Sequence, residues 1–212
     1  MNFQHLLFDL DGTIIDSREG IFNCLKYAFD AYGYPYGNDE ELRVFIGPPL
    51  FEQIQKYTGA DDDTTRAMVA KYRERYKPIG AFENKLYIGI VDALEKCKAS
   101  GKKIYLATSK PEEFAKAILE RHGIDGLFDE ICGANITKGL GTKEEVIADL
   151  FERCSVEKDK CIMIGDTHFD VDGAKTMGIA AMGVNWGFGT EEELLGADVI
   201  VNTPEEMLKV LL

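Results

Sequence analysis

The sequence predicts an α/β fold, a parallel sheet covered by helices on both faces and interrupted after its first strand by a helical insertion. Three observations predict it. Short apolar runs of strand length recur along the chain, amphipathic segments of helical period lie between most of them, and one long stretch carries helical patterns with no buried strand. The boundaries read from these patterns give a core of residues 1–15 and 83–212 and an inserted helical domain over 16–82.

Leu6–Phe8 opens the series as the first buried strand. In the insertion, Ile21, Phe22, Leu25, Phe29 and Tyr32 recur at helical spacing, and Gly33 follows as a stop signal. Gly47-Pro48-Pro49 makes a turn, Leu50–Tyr57 reads as a short helix, and Met68, Val69, Tyr72 and Tyr76 line a longer one ended by Pro78. A right-handed crossover between parallel strands needs far fewer residues than this stretch holds, so it reads as a separate domain. Beyond it, Val91, Leu94 and Lys98 mark a helix that stops at Ser100-Gly101, and Ile104–Ala107 is the next strand. Phe114, Ile118 and Leu119 lie on a helix ending at Gly123. Thr142-Lys143-Glu144-Glu145 has capping-box spacing and opens the helix of Val146, Ile147 and Leu150. Ile162–Ile164, Ala180–Val184 and Val199–Val201 complete the strands.

Length and composition narrow the function. The 212 residues suffice for one sizeable core and a small second domain. Against 24 Lys and Arg stand 37 Asp and Glu, a formal charge of -13. Such a surface repels phosphate backbones and anionic lipids, which argues against nucleic-acid and membrane partners. It also repels an anionic substrate unless the site supplies its own positive charge. The five cysteines show no CxxC spacing and read as reduced thiols. The first residues carry no basic region and only a three-residue apolar stretch, and no segment is long enough to span a bilayer, so a cytoplasmic location is expected.

Three of the apolar runs lead into polar residues of a particular kind. Leu6–Phe8 leads to Asp9-Leu10-Asp11-Gly12-Thr13, Ile104–Ala107 to Thr108-Ser109-Lys110, and Ile162–Ile164 to Gly165-Asp166-Thr167-His168-Phe169-Asp170. In an open parallel sheet the carboxyl ends of the strands converge on the ligand crevice, which brings Asp9, Asp11, Asp166 and Asp170 to one place. Four carboxylates that close repel one another unless a cation intervenes, and magnesium suits an oxygen-rich site that also takes phosphate. Strand periodicity puts Asp9 and Asp11 on one side, Asp9 to attack phosphorus and Asp11 to move protons. Gly12 lets the backbone turn sharply and approach a phosphate. Alone, the Asp9–Thr13 run would fit a solvated turn or a calcium loop; together with the other two strand ends it reads as a site.

Taken together, Asp9-Leu10-Asp11-Gly12-Thr13, Thr108, a later lysine and Gly165-Asp166-Thr167-x-x-Asp170 resemble the four motifs of the haloacid dehalogenase superfamily. Asp16-Ser17, Thr108-Ser109-Lys110-Pro111 and Gly187-Phe188-Gly189 resemble its phosphoglycolate phosphatase-like branch, which carries a helical cap after the first motif. The resemblance implies a Rossmann-like core and a magnesium-dependent phosphatase of a small phosphorylated metabolite, phosphoglycolate-like or a nucleotide monophosphate. It implies that Asp9 forms an aspartyl-phosphate, and that Asp11 is the general acid/base and gives its backbone carbonyl to the metal. Thr108 would hydrogen-bond the phosphoryl group. Asp166 would be the other metal carboxylate, and Asp170 would support the metal shell or orient the lysine. The family's lysine falls at Lys143, in a first helical turn where a cation opposes the helix dipole unless it meets an anion; Lys110 is the alternative. Gly12, Thr13, Ser109 and Lys110 are candidate substrate contacts. Arg43 and the Gly47–Leu50 turn are candidate contacts to the leaving group, with helix packing as the competing explanation. His168 is expected as a partly exposed loop residue without a catalytic task, and Trp186 as packing beside the glycine-rich turn.

Other readings are less well matched. A haloacid dehalogenase proper has no use for Asp11 or magnesium. A sugar phosphomutase of this branch would place histidine where this chain has Ile21. A pyrophosphatase shares the core motifs. From another class, a phospho-accepting receiver module accepts phosphate on a later strand and lacks an inserted cap. The chain is expected to act as a monomer or homodimer.

Overall fold

The computed structural model describes residues 3–46 and 49–212, so Gly47 and Pro48 of the expected turn lie outside the described residues. The chain divides into two compact units, Met1–Asp16 with Leu86–Leu212, and Ser17–Lys85.

In the first unit, β1 (His5–Phe8) runs beside β4 (Lys103–Pro111) and β6 (Cys161–Gly165). With β5 (Glu130–Ala134), β7 (Ala180–Val184) and β8 (Val199–Val201) they form a six-stranded sheet in the order β5-β4-β1-β6-β7-β8, each pairing parallel. The central strands are apolar throughout because both of their faces are covered. Leu7, Tyr105, Met163 and Ala181 share one face and pack on Val146, Ile147 and Leu150 of α7 (Lys143–Arg153) and Val171 and Ala174 of α8 (His168–Met177). Leu6, Phe8, Ile104, Leu106, Ile162 and Ile164 alternate to the opposite face and are fully buried there. The unit also holds α5 (Ile90–Ala99), α6 (Glu112–His122), α9 (Glu191–Leu194) and α10 (Pro204–Leu211). Two-residue strands β2 (Ile15–Asp16) and β3 (Lys85–Leu86) pair with each other.

Register positions the chemistry. Phe8 lies level with Leu106 and Ile164, so Asp9, Ala107 and Gly165 stand at one height, with Asp166 next along the chain. The Asp9 N–H donates to the Ile164 carbonyl at 2.9 Å.

The structure departs from the expected strands in two places. β4 does not stop at Ala107 but continues to Pro111, with a register shift between Thr108 and Pro111. β5 carries no long apolar run and was absent from the expected strands. Helix α5 lies where Val91, Leu94 and Lys98 mark it, ends before Ser100 as expected, and buries Ile90, Ala93, Leu94 and Cys97. In the helical unit the helix carrying Ile21 to Tyr32 ends at Tyr32, as the sequence expects, with Gly33 turning the chain away at φ 70° and Tyr32 42% exposed.

The second unit contains α1 (Arg18–Tyr32), α2 (Asp39–Leu42), α3 (Leu50–Thr58) and α4 (Asp62–Tyr76). Phe22, Leu25, Phe29, Leu42, Ile54, Met68 and Tyr72 form its core, with the Phe29 and Tyr57 rings stacked at 5.7 Å. Its apolar stripes face one another, which makes it a core of its own. All five cysteines are free. Among the described residues, no helix is long and apolar enough to cross a membrane.

Candidate active site

Three acidic side chains meet at the carboxyl ends of β1 and β6. Asp9 directly follows β1, Asp166 directly follows β6, and Asp170 sits in the first turn of α8. One oxygen of each lies within 4.8 Å of the other two. Asp166 is 0% exposed, Asp170 2%, and the Asp9 side chain 13%, so little water reaches them. The other Asp170 oxygen, Oδ2, accepts from the Thr167 N–H and hydroxyl, both at 3.1 Å, which fixes its rotamer.

Lys143 is the first residue of α7 and its side chain is 3% exposed. Its ammonium lies 2.8 Å from Asp9 Oδ1 and 2.8 Å from Asp170 Oδ1, and donates to the Ala107 carbonyl at 3.0 Å. A cation in a first helical turn opposes the dipole, a cost these two carboxylates offset. Thr142 and Glu145 close the expected capping box and fix where the helix begins.

One ammonium does not balance three carboxylates. Burial pushes the Asp9 carboxyl up to about 6, with Lys143 pulling it down and Asp170 pushing it up. Burial, then repulsion from Asp170 and Asp9, holds Asp166 well above the usual carboxylate range, although backbone N–H groups of Phe188 and Gly189 favour its charge. Burial alone would lower Lys143, but Asp170 and Asp9 outweigh it and raise it. A buried donor set made only of carboxylate oxygens, with excess negative charge, fits a hard divalent cation.

Around this cluster the backbone comes unusually close. Gly12 has φ 82°, and a Cβ there would lie 2.1 Å from Asp166 Oδ2. A Cβ on Gly187 would lie 2.3 Å from Asp166 Cβ and 2.4 Å from the Gly12 carbonyl. Gly165 makes room for Asp170 and Gly173 for the stem of Lys143. Gly12 is marked in the sequence by its place in the Asp9–Thr13 run, whereas nothing local marks Gly165 or Gly173 for close approach, and only the Gly187-Phe188-Gly189 pattern points to Gly187. Gly187→Ala is expected to displace Asp166 and lower kcat about 100-fold, since misplacement near 1 Å costs that much. Steady-state kinetics beside a melting curve checks it.

The remaining candidates divide. Thr13 is fully buried and its hydroxyl donates to Asp166 Oδ1 at 3.3 Å, so it orients that carboxylate. Thr108 is buried, its hydroxyl accepting the Lys110 N–H at 3.2 Å, while Ser109 is exposed. The Asp11 carboxylate lies outside the three-acid cluster: its Oδ2 pairs with Lys110 Nζ at 2.8 Å. His168 opens α8 rather than lying in a loop, and its Nδ1 meets Glu193 Oε1 at 2.8 Å. The Trp186 indole N–H donates to the Thr13 carbonyl at 3.0 Å, beside the glycine-rich turn. Arg43 belongs to the helical unit, where it pairs with Glu40 at 3.1 Å and, with Arg18, Phe22 and Asn23, lines a hollow.

Known proteins share this arrangement of sequence and fold. Residues 6–184 match the family described as haloacid dehalogenase-like hydrolase. The chain is 37% identical over 194 residues to a 5'-nucleotidase of Pseudomonas aeruginosa, covering 92% of this chain and 88% of that protein. It is 27% identical over 216 residues to a phosphoglycolate phosphatase of Vibrio parahaemolyticus, covering 97% and 95%. The haloacid dehalogenase-like family hydrolase SP0104 of Streptococcus pneumoniae superposes with a TM-score of 0.91 at 33% identity, covering 98% of each chain.

Proposed function

From the premise that this chain belongs to the haloacid dehalogenase-like hydrolases and is a phosphatase of that family, we propose that it is magnesium-dependent, hydrolyses a small phosphorylated metabolite in the cytoplasm, and uses Asp9 as covalent nucleophile. The observation that carries this reading is the Lys143 ammonium, 2.8 Å from Asp9 and enclosed with Asp166 and Asp170. It gives an anionic nucleophile and an anionic substrate the local positive charge that an acidic surface lacks. Magnesium would be held by Asp9, Asp166 and Asp170 with the Asp11 carbonyl, and would supply charge that orients and neutralises the phosphoryl oxygens.

Asp9 attacks phosphorus as the ester P–O bond breaks, and the departing oxygen takes a proton from Asp11. Water then attacks the aspartyl-phosphate, gives its proton to Asp11 and releases phosphate. Thr108 donates its hydroxyl hydrogen to the transferring group, and Gly12 and Ser109 line its approach. The helical unit Ser17–Lys85 is assigned the part of a cap domain. Ile21, where a phosphomutase would carry histidine, favours hydrolysis over phosphate transfer between sugars.

The relatives' names favour nucleoside monophosphates first and phosphoglycolate second. A panel of nucleoside 5'-monophosphates, phosphoglycolate, sugar phosphates and pyrophosphate should show steady multiple turnover with magnesium. Chelation with EDTA is expected to lower the rate at least about 100-fold, restored by added magnesium. Activity indifferent to EDTA, or only stoichiometric phosphorylation, contradicts the proposal.

A further inference from the structure

Lys110 stands apart from the reaction just described, yet its side chain is only 6% exposed. Two contacts tie it to the machinery. Its backbone N–H donates to the Thr108 hydroxyl at 3.2 Å, and its ammonium lies 2.8 Å from Asp11 Oδ2. Both follow from the irregularity in β4 between Thr108 and Pro111, which takes Lys110 out of regular pairing. Gly133 of β5 permits it: a Cβ there would lie 2.6 Å from the Lys110 carbonyl. The other Asp11 oxygen, Oδ1, is buried and has no hydrogen-bond partner.

We propose that Lys110 is a positioning residue, holding Asp11 by Oδ2 so that Oδ1 faces the proton it must accept in the second half-reaction. This rests on the reading of Asp11 as the proton-transfer group. In that step the water oxygen bonds to phosphorus, and the bond from phosphorus to Asp9 breaks with its electron pair returning to the carboxylate. One water proton passes to Asp11 Oδ1 and the other leaves with inorganic phosphate. The two ammonium groups thus divide their work, Lys143 on the nucleophile and Lys110 on the proton acceptor.

The test is p-nitrophenyl phosphate, whose leaving group departs without a proton, so that only water activation needs Asp11. Lys110→Met is expected to lower kcat about 100-fold. KM should fall in parallel, and rapid mixing should show a burst near one nitrophenol per active site, because the phosphoenzyme accumulates. Lys110→Arg should recover most of kcat, since a guanidinium can hold the same carboxylate. If kcat/KM falls as far as kcat and no burst appears, Lys110 acts on substrate or fold and the inference is wrong. Asp11→Asn in parallel separates the failures. A burst there without one in Lys110→Met overturns the inference alone; no burst in either overturns the role of Asp11 itself. Should Lys110→Met not fold by circular dichroism, Lys110→Gln carries the same test.

Discussion

Asp9→Asn is expected to abolish turnover, lowering kcat by about 10⁴-fold or more, and at the same time to make the metal-free protein more stable above pH 6. The first effect follows from the proposed role of Asp9, since an amide in its place carries no negative charge with which to attack phosphorus while its neighbours stay in place. The second follows from crowding. Asp9 titrates at about 6 in the folded protein against 3.8 for an unperturbed aspartate, so the folded state holds a proton that the unfolded chain has already lost. Its stabilising contribution is fully present below about pH 4 and disappears as pH rises through about 6. Asparagine resembles the protonated form at every pH and escapes that loss, a gain on the order of 1–3 kcal/mol at pH 8. Asp166, also raised, keeps part of the same pH dependence in the variant. Melting curves in EDTA at pH 5 and pH 8 should therefore diverge between the two proteins only at the higher pH. A variant that retains more than a few per cent of activity, or melts no higher than wild type at pH 8, contradicts the arrangement.

What made the site legible in the sequence was the sheet. Central parallel strands must be apolar on both faces, so Leu6–Phe8 and Ile162–Ile164 stand out, and the first polar residues after them fall at the carboxyl edge. That locates Asp9 and Asp166 without any structure. Asp170 is a different case: it lies in a helix rather than at a strand end, reaching the cluster because α8 starts immediately after Asp166 and Thr167. Strand β5 is not legible in the sequence because Glu130-Ile131-Cys132-Gly133-Ala134 sits at the sheet edge and is only partly buried. The true length of β4 was hidden by the polar Thr108-Ser109-Lys110, whose place in a strand depends on neighbours distant in the chain. The same holds for the glycines. Nothing local distinguishes Gly173, which clears space for Lys143, from Gly178, which ends a helix in open space. Close approach is a tertiary property, and pattern alone does not carry it.

Lys143→Met should have the opposite effect on stability from Asp9→Asn and a comparable effect on rate. Without the ammonium, Asp9 and Asp170 lose their shared partner while remaining beside Asp166, all three enclosed. Removing one member of a buried ion pair costs about 3–5 kcal/mol, and this should appear in metal-free melts at pH 8. The cost should shrink as pH falls toward 6, because without Lys143 to pull it down the Asp9 carboxyl takes up its proton above the value of about 6 that it has beside the ammonium. Adding Asp9→Asn to Lys143→Met should return much of the stability, with a coupling of about 1–3 kcal/mol in the double-mutant cycle. Rate behaves differently. Loss of a preorganised positive group beside the nucleophile is expected to lower kcat about 10³-fold. Magnesium should rescue melting temperature by neutralising the carboxylates, but not kcat, because it does not replace the hydrogen-bonding ammonium at Asp9 Oδ1. If magnesium restores both together, Lys143 serves only to balance charge. If Lys110→Met instead gives the larger fall in kcat/KM, the lysine serving the nucleophile is Lys110 and not Lys143.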